Sequence, residues 1–282
     1  MQEKIYNLRK KANWVRNQVL EMISKAGKGH IGGAFSCADI LVALYYGGIL
    51  RFDPSRKDWN ERDRFILSKG HSSSVLYTIL ADLGYFPISH ILNYGQSGCM
   101  LGGHPDRNIP GVEIDSGSLG HGLGIGAGLA LSAKMDRKDF MTVVLLGDGE
   151  CCEGSVWEAG MFAVCHKLNN LTAIVDRNGL CATDFTDNCV YLGPLEEKWS
   201  SFGWDVRTIN GHAFEDIISA FKDFRVRKSN KPLAIIANTV KGKGVSFMEG
   251  SPNWHHNVPK GAQIEIARKE LKWTLENSEA AK

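Results

Sequence analysis

Two polar turns that follow apolar runs are the first places in this sequence where chemistry is expected. Gly147-Asp148-Gly149 follows the run 142–146, and Asn178-Gly179 follows the run 171–175. Glycines beside Asp148 allow backbone N–H groups to approach a phosphate closely, and its carboxylate is a ligand for a hard cation. The Asn178 amide oxygen and a carbonyl freed by its turn, which we assign to Leu180, are further oxygen ligands. The two turns together predict a divalent cation beside a diphosphate.

Each turn taken alone has an ordinary explanation, because Asp-Gly and Asn-Gly are common turn sequences in proteins of every function. Their pairing favours the functional interpretation, since each turn comes directly after a strand-like run and one helix fits between them. Neighbouring parallel strands end at the same edge of a sheet, and this would bring Asp148 and Asn178 together.

Histidines near glycine are the second set of candidates. They occur as Gly29-His30, Gly70-His71 and Gly103-His104, and a Trp254-His255-His256 motif stands later in the chain. An imidazole with a pKa near neutrality can both accept and donate a proton, which suits general acid–base catalysis. A single histidine is more often a surface or capping residue, and we interpret three in that way: His90, His166 and His212.

Strands and helices must position these residues, and the pattern of apolar residues along the sequence predicts where those elements lie. Five short apolar runs end abruptly in glycine or polar residues, as is typical of strands covered on both faces. The predicted strands are 64–68, 142–146, 171–175, 204–209 and 233–237. Helical patterns cover about 5–26, 37–46 (with Ser36 as its N-cap), 72–83, 119–135, 155–168, 213–226 and 262–275. Alternating strands and helices predict an α/β fold with a doubly wound, mainly parallel sheet and helices on both faces.

Composition narrows the class of protein. The 282 residues are 43% hydrophobic and 23% charged with a formal net charge of +2, so no basic surface for nucleic acid is indicated. No stretch has the pattern of a signal peptide or a transmembrane helix, which favours a cytoplasmic protein without a membrane partner. Seven cysteines without a CxxC pair indicate reduced thiols, and Cys151-Cys152 are interpreted as packing residues. No linker or internal repeat interrupts the chain, so we expect a single domain over residues 1–282.

Gly147-Asp148-Gly149-Glu150 followed by Asn178 resembles the thiamine diphosphate motif, which several enzyme classes share. Further motifs make the sequence similar to the transketolase family, whose order they follow over about residues 10–260: Gly29-His30, Ser68-Lys69-Gly70-His71, Gly103-His104-Pro105-Asp106, Gly117-Ser118-Leu119-Gly120-His121-Gly122 and Trp254-His255-His256-Asn257-Val258-Pro259. The resemblance implies thiamine diphosphate and Mg²⁺ (or Ca²⁺ or Mn²⁺ as a substitute) as cofactors. It also implies transfer of a two-carbon ketol unit from a ketose or its phosphate to an aldose or its phosphate.

The resemblance further implies roles for individual residues. The metal ligands would be Asp148, Asn178 and the Leu180 carbonyl. Other residues would contact the cofactor: His71, His104, Gly117, Ser118, Leu119, Gly149, Glu150, Asn178 and His256. The catalytic set would comprise His30, His71, His104 and His256, together with Glu153 and Glu158, which match carboxylates near the family's subunit contact. His256 is preferred to its neighbour His255 because of its distance from Val258-Pro259.

Two features outside the family motifs complete the expected site. Lys241 and Lys243 lie in a Lys-Gly-Lys-Gly loop after the last predicted strand and could compensate diphosphate charge, although a solvated loop fits the pattern equally well. Glycines at alternate positions from 120 to 128 would ordinarily weaken a helix by nearly 1 kcal/mol each. Their presence suggests close helix packing beside the cofactor.

The family's pyrimidine-binding and C-terminal domains have no counterpart in this sequence. We therefore expect the N-terminal subunit of a split transketolase. A C-terminal subunit with the pyrimidine-binding domain would complete it as an α2β2 heterotetramer, and sugar phosphates would be its substrates. Two alternatives stay open: a related thiamine diphosphate enzyme subunit of deoxyxylulose phosphate synthase-like or sulfosugar type, and a non-catalytic regulatory subunit that binds the cofactor.

Overall fold

The computed structural model describes residues 2–56 and 58–280. Its helices are α1 (Gln2–Ala26), α2 (Ile31–Tyr46), α3 (Ser73–Asp82), α4 (Gly122–Met135), α5 (Gly154–Cys165), α6 (Thr186–Cys189), α7 (Leu195–Ser201), α8 (Phe214–Ala220) and α9 (Ala262–Ala280). Short 3₁₀ turns occupy Gly70–Ser72, Ile88–Asn93, Gly149–Cys152 and Pro252–Trp254. Within the described ranges, every helix is too short or too polar to cross a bilayer.

Five strands form one parallel sheet, which confirms the predicted doubly wound α/β fold. The strands are β1 (Arg64–Leu67), β2 (Thr142–Gly147), β3 (Leu171–Arg177), β4 (Asp205–Asn210) and β5 (Leu233–Asn238). Their order across the sheet is β1-β2-β3-β5-β4, and each neighbouring pair is parallel. All five strands were predicted from the sequence to within two residues at each end. The carboxyl ends of β1, β2, β3 and β5 therefore lie side by side.

The sheet is covered on both faces because alternate strand residues enter different hydrophobic clusters. Val143 and Leu145 of β2 pack with α1, α2, α3, α8 and α9. Val144 and Leu146, on the opposite face of the same strand, pack with α4, α5 and α7. Side chains alternate between the faces of a strand, so a strand buried on both sides reads as a continuous apolar run. This is why the runs in the sequence identified the strands so well.

The second helix begins six residues earlier than predicted, which corrects its proposed start. It includes Gly32 and Gly33, and Ser36 is inside the helix instead of at its N-cap. The Ser36 hydroxyl donates to the Gly33 carbonyl at 3.0 Å and to Asp176 at 2.6 Å. Glycine is a poor residue for a helix interior, so the sequence pattern favoured a later start. The short helices α6 and α7 were also missed.

Two glycines of α4 occupy opposite environments, which gives a test of the predicted close packing. A Cβ on Gly126 would lie 2.5 Å from Cγ2 of Val144, whereas a Cβ on Gly128 would have no neighbour within 4 Å. We expect Gly126→Ala to destabilise the chain by about 1–3 kcal/mol through overpacking. Gly128→Ala should instead stabilise it by about 0.5–1 kcal/mol, because alanine restricts the unfolded chain and favours the helix. Urea denaturation of both variants measures the difference, and equal effects would refute the close contact.

Candidate functional site

A cavity of about 160 Å³ lies at the carboxyl ends of the strands. Residues that directly follow β1, β2 and β3 line it: Lys69, Asp148 and Asn178. Lys241, from the loop after β5, lines it as well. Ligands bind at this edge in open α/β sheets because the strands end there and leave loops free to shape a site. The structure thus brings the two polar turns of the sequence together.

Asp148 is almost completely buried at the floor of this cavity, with 3% of its surface exposed. Its carboxylate accepts hydrogen bonds from the Gly179 N–H (2.6 Å), the Gly149 N–H (2.9 Å) and the Thr186 hydroxyl (3.3 Å). Burial and the nearby Asp176 carboxylate raise the pKa of Asp148 to about 6. A buried carboxylate whose charged form is this unfavourable is suited to pairing with a cation.

The other predicted metal ligands stand beside Asp148. The Asn178 amide oxygen accepts the Leu180 N–H at 3.2 Å. The Leu180 carbonyl accepts a hydrogen bond from the Lys241 ammonium at 3.2 Å, and the Cys181 carbonyl accepts another at 2.8 Å. Carbonyl oxygens keep a second lone pair after accepting one hydrogen bond. The site therefore offers carboxylate, amide and carbonyl oxygens from the loops after β2 and β3.

Beneath the cavity floor lies a buried ion pair that the sequence did not single out. The Lys69 ammonium contacts the Asp176 carboxylate, and both residues are at most 1% exposed. Asp176 also accepts hydrogen bonds from Ser36 and Thr239, and from the Asn178 amide at 3.3 Å. Because the Asn178 amide nitrogen donates to Asp176 and its oxygen accepts the Leu180 N–H, both ends of the amide are held. The pair therefore orients a predicted metal ligand.

Glycines at the cavity wall stand where a side chain would collide with neighbouring protein atoms. A Cβ on Gly149 would lie 3.0 Å from the Cys181 sulfur, and a Cβ on Gly33 would lie 2.9 Å from the Ser72 hydroxyl and 3.3 Å from His71. The absence of a side chain thus lets the loops of the site pack closely at these positions. Gly33 and Cys181 both line the cavity, although neither was predicted as a site residue.

A cluster of imidazoles borders the cavity. The ring centre of His30 lies 5.3 Å from that of His71, 6.2 Å from that of His104 and 5.3 Å from that of His255. Burial, followed by the charges of His104 and His256, lowers the pKa of His30 to about 4. Burial and Lys241 lower the pKa of His255 to about 3, and burial lowers the pKa of His71 well below its ordinary value. These three rings are therefore neutral at pH 7, and each carries one unprotonated nitrogen that can accept a hydrogen bond.

One imidazole nitrogen of the cluster is not satisfied by the protein around it. Nδ1 of His30 is buried and has no hydrogen-bond partner among the described residues. Buried polar atoms are nearly always satisfied in folded proteins, and exceptions call for an explanation. Because this atom belongs to the ring cluster, the explanation that fits is a ligand or an ordered water at the cavity mouth.

The lowered pKa of His30 predicts a pH dependence of stability. The folded chain protonates His30 near pH 4, whereas the ordinary value is 6.5, so the unfolded chain binds more protons between these values. The free energy of unfolding should therefore fall as the pH is lowered from 6.5 to 4. We expect His30→Gln to lose less stability than wild type across this window, measured by urea denaturation at pH 6.5 and 4.5. His90→Gln, at an exposed site, should follow wild type. Identical losses of stability in His30→Gln and wild type would contradict the lowered pKa of His30.

The preference for His256 over His255 stays a prediction, but the two adjacent histidines lie differently around the cavity. His255, and not His256, lines the cavity, and its Nδ1 lies 2.8 Å from the Lys241 nitrogen. His256 is exposed, with its ring centre 6.4 Å from that of His30. Both residues follow the 3₁₀ turn Pro252–Trp254. Neighbouring side chains on a turn point in different directions, so spacing along the sequence could not show which one faces inward.

Other predicted residues occupy a range of positions around the cavity. Leu119 lines it, while Gly117 lies against the ring of His104 and Ser118 is exposed outside the lining. Glu150 lines the cavity, but its carboxylate accepts hydrogen bonds from Ser68, the Gly120 N–H and the Gly147 N–H. It therefore ties together three loops of the site.

Glu153 and Glu158 lie apart from the cavity. Both are exposed, and Glu158 borders a shallow groove between α4 and α5. Their predicted role at a subunit contact stays a prediction. Lys69 was the most important site residue that was not predicted, although it belongs to the motif Ser68-Lys69-Gly70-His71. Its burial depends on Asp176, and the local sequence carries no sign of that partner.

Comparison with known proteins identifies the family. Residues 8–280 match the family model described as transketolase, thiamine diphosphate binding domain. The chain is 44% identical over 264 residues to one subunit of the apulose-4-phosphate transketolase of Phocaeicola vulgatus, covering 94% of this chain and 93% of that protein. It is 42% identical over 257 residues to one subunit of a 6-deoxy-6-sulfo-D-fructose transketolase of a Clostridium species, covering 91% of this chain and 93% of that protein.

A solved structure supports the same relationship. The crystal structure of transketolase from Campylobacter jejuni superposes with a TM-score of 0.87 at 30% identity, covering 96% of this chain and 45% of that one. This chain thus spans less than half of the longer transketolase. The matched range includes both polar turns, the buried ion pair and the histidine cluster. The chain belongs to the transketolase family and corresponds to its thiamine diphosphate-binding domain.

Proposed function

We propose that this chain is the N-terminal subunit of a split transketolase that transfers a two-carbon ketol unit from a ketose donor to an aldose acceptor. The observation that carries the proposal is the convergence of Asp148, Asn178 and Lys241 with the histidine cluster at one cavity. Hard oxygen ligands, a lysine and neutral imidazoles are the groups needed to hold a metal diphosphate beside a polyhydroxylated substrate.

The residues present fit a magnesium diphosphate. Asp148, Asn178 and the Leu180 carbonyl would hold the cation, since Mg²⁺ takes few protein carboxylates and completes its shell with phosphate oxygens and water. Among the described residues, no group of three or more His, Cys, Asp or Glu side chains could hold a metal, so the diphosphate would have to supply part of the shell. Gly33 and Gly149 line the same cavity, and their backbone would border the diphosphate.

Lys241 would balance the diphosphate charge. Burial, followed by repulsion from Lys69, lowers the pKa of Lys241 to about 8. Its ammonium donates hydrogen bonds to the Leu180 and Cys181 carbonyls at the cavity edge. These carbonyls carry no formal charge, so a bound phosphate would be the anion that pairs with the ammonium. Of the two interpretations of the Lys-Gly-Lys-Gly loop, burial of Lys241 favours the functional one.

When bound, thiamine diphosphate supplies the nucleophilic carbon and the electron sink for ketose cleavage. The histidines of this chain would orient the sugar. His30, His71 and His255 are neutral at pH 7, so each can accept a hydrogen bond from a sugar hydroxyl at its unprotonated nitrogen. His104 and the exposed His256 stand at the outer side of the cluster, where they would contact the sugar chain.

A second chain with the pyrimidine-binding domain would complete the active site. In support, the two relatives named above are each covered over 93% of their length, so proteins of this size act as transketolase subunits. We propose an α2β2 assembly. The exposed Glu153 and Glu158, beside the groove between α4 and α5, would lie at the contact between subunits.

The donor sugar has two specialised candidates besides xylulose 5-phosphate. The relatives named above act, by their names, on apulose 4-phosphate and on 6-deoxy-6-sulfo-D-fructose. Both substrates carry an anionic group at the end of a ketose. We propose that this chain supports ketol transfer from a donor of that class and that the partner chain binds the anionic end.

The test is to purify the chain alone and with the product of an adjacent gene that encodes the second half, in the presence of thiamine diphosphate and Mg²⁺. Ketol transfer is measured with xylulose 5-phosphate, apulose 4-phosphate and 6-deoxy-6-sulfo-D-fructose as donors. We expect activity with both chains together and none with this chain alone. Full activity from this chain alone would exclude the split-subunit proposal, and cofactor binding without turnover of any donor would favour a regulatory role.

A further inference from the structure

The structure corrects the interpretation of His212 as a surface or capping residue. His212 follows β4, and only 14% of its side chain is exposed. Nδ1 lies 2.7 Å from the Asp39 carboxylate, and Nε2 lies 2.9 Å from the Val240 backbone nitrogen. The ring therefore bridges helix α2 and the loop that follows β5. None of the roles assigned above uses this residue.

The two contacts determine which ring nitrogen carries the proton. A backbone N–H can only donate, so Nε2 of His212 must accept from Val240 and is unprotonated. Nδ1 then carries the hydrogen and donates to Asp39. A hydrogen bond at one ring nitrogen commonly sets the state of the other in this way. The imidazole thus links the Asp39 carboxylate to the Val240 amide through two hydrogen bonds.

Asp39 is itself rigidly held. Arg16 of α1 donates to both of its carboxylate oxygens, at 3.1 and 2.6 Å, and both residues are buried. Burial alone would raise the pKa of Asp39, but Arg16 and the hydrogen bond from His212 lower it to about 2. The acceptor for Nδ1 of His212 is therefore a carboxylate that is ionised at neutral pH and held in one orientation by Arg16.

Val240 directly precedes Lys241, the only residue of its loop whose ammonium enters the described cavity lining. On the other side of Lys241, the Gly242 N–H donates to the Gly32 carbonyl at 3.0 Å. The residues on both sides of Lys241 are thus held by hydrogen bonds: Val240 by His212, and Gly242 by the Gly32 carbonyl of α2. Without the His212 bond, the Val240 amide would lose its partner and the loop could rotate.

We propose that His212 is a positioning residue for Lys241: by holding the Val240 amide, it keeps the Lys241 ammonium in the cavity and so supports diphosphate binding. The inference rests on the proposed function in one respect, that Lys241 meets a diphosphate. It adds a residue outside the cavity that controls how well the chain binds the cofactor.

The first measurement needs no cofactor. Hydrogen exchange by mass spectrometry is compared in peptides covering 239–244 and in the strand peptide 233–238. His212→Phe keeps the ring volume but removes both hydrogen bonds, and we expect exchange in 239–244 to rise about ten-fold or more with 233–238 unchanged. His212→Gln can still accept from Val240 and should restore most of the protection. Unchanged exchange in 239–244 for His212→Phe would overturn the proposal.

The second measurement asks whether His212 acts through Lys241. Dissociation constants for thiamine diphosphate at saturating Mg²⁺ are measured for wild type, His212→Phe, Lys241→Met and the double variant, each assembled with its partner chain. We expect about ten-fold weaker binding for His212→Phe, binding within about three-fold of wild type for His212→Gln, and little further loss when His212→Phe is added to Lys241→Met. A full further loss in the double variant would show that His212 acts elsewhere and would overturn the proposal.

Controls separate this inference from the proposed function. His90→Phe, at an exposed site far along the chain, should leave binding and exchange unchanged. Failure of wild type to bind thiamine diphosphate would refute the proposed function, while the exchange experiment would still decide the contact between His212 and Val240. Binding by wild type with equally tight binding by His212→Phe would refute the inference about His212 alone.

Discussion

Asp148→Ala is expected to weaken thiamine diphosphate binding at saturating Mg²⁺ by at least about a hundred-fold. Asp148 supplies the one carboxylate among the proposed cation ligands, and even residues that only support metal ligands typically contribute about 10- to 100-fold to metal affinity. The variant also removes the acceptor for the Gly179 and Gly149 N–H groups, so the local fold of the turn must be considered. Isothermal titration of the assembled complex measures the affinity.

Asp148→Asn separates charge from local structure. Asparagine can still accept the Gly179 N–H, yet it brings no negative charge to the cation. We expect most of the loss to persist in Asp148→Asn, because a neutral amide is a poor substitute for the only carboxylate ligand. Asp187→Asn, at an exposed carboxylate in α6, is the matched control and should bind normally. Wild-type affinity in Asp148→Ala would show that the metal assignment is wrong.

Lys69→Met and Asp176→Asn are expected to give the largest losses of stability in the chain. Breaking a buried ion pair from one side leaves an uncompensated charge in the interior and costs about 3–5 kcal/mol. Asp176 should be the more sensitive position, since its carboxylate also accepts hydrogen bonds from Ser36, Thr239 and Asn178. Urea denaturation of each variant measures the free energy of unfolding.

The double variant provides the decisive comparison. Because neither charge remains in Lys69→Met with Asp176→Asn, its loss should be clearly smaller than the sum of the two single losses. Arg51→Met, which breaks the exposed Arg51–Asp139 pair, should cost no more than about 1 kcal/mol. Additive losses in the double variant would show that the two charges do not stabilise each other.

Strands β2, β3 and β5 could be predicted from sequence because burial on both faces makes them continuous apolar runs. The edge strand β4 was also predicted, but it is half-buried or exposed along its length. The start of α2 could not be predicted. Gly32 and Gly33 oppose a helix locally, and the reason for them is tertiary: a Cβ on Gly32 would lie 2.5 Å from the Trp254 carbonyl. Helix α7 was missed for a related reason, since it is short and its burial rests largely on Leu195 and Trp199.

Site residues could be predicted from the sequence where the residue type and its position after a strand indicate a chemical role. Asp148 and Asn178 stand in turns after strands, and the fold brings strand ends together whatever the details of packing. The roles of Lys69, Asp176 and His212 depend on partners far away in the sequence, so no local pattern distinguishes them from surface residues. The inward turn of His255 likewise depends on the backbone path after Pro252–Trp254.

The strand order also has a consequence for the way the chain must fold. Strand β5 is the last of the five to be synthesised, yet it lies between β3 and β4 and pairs with both. Until it arrives, β3 and β4 each present an unpaired edge, which invites pairing with other chains. Pairings between distant segments form slowly because a long loop must close first. A chain still being synthesised therefore exposes these edges until β5 emerges.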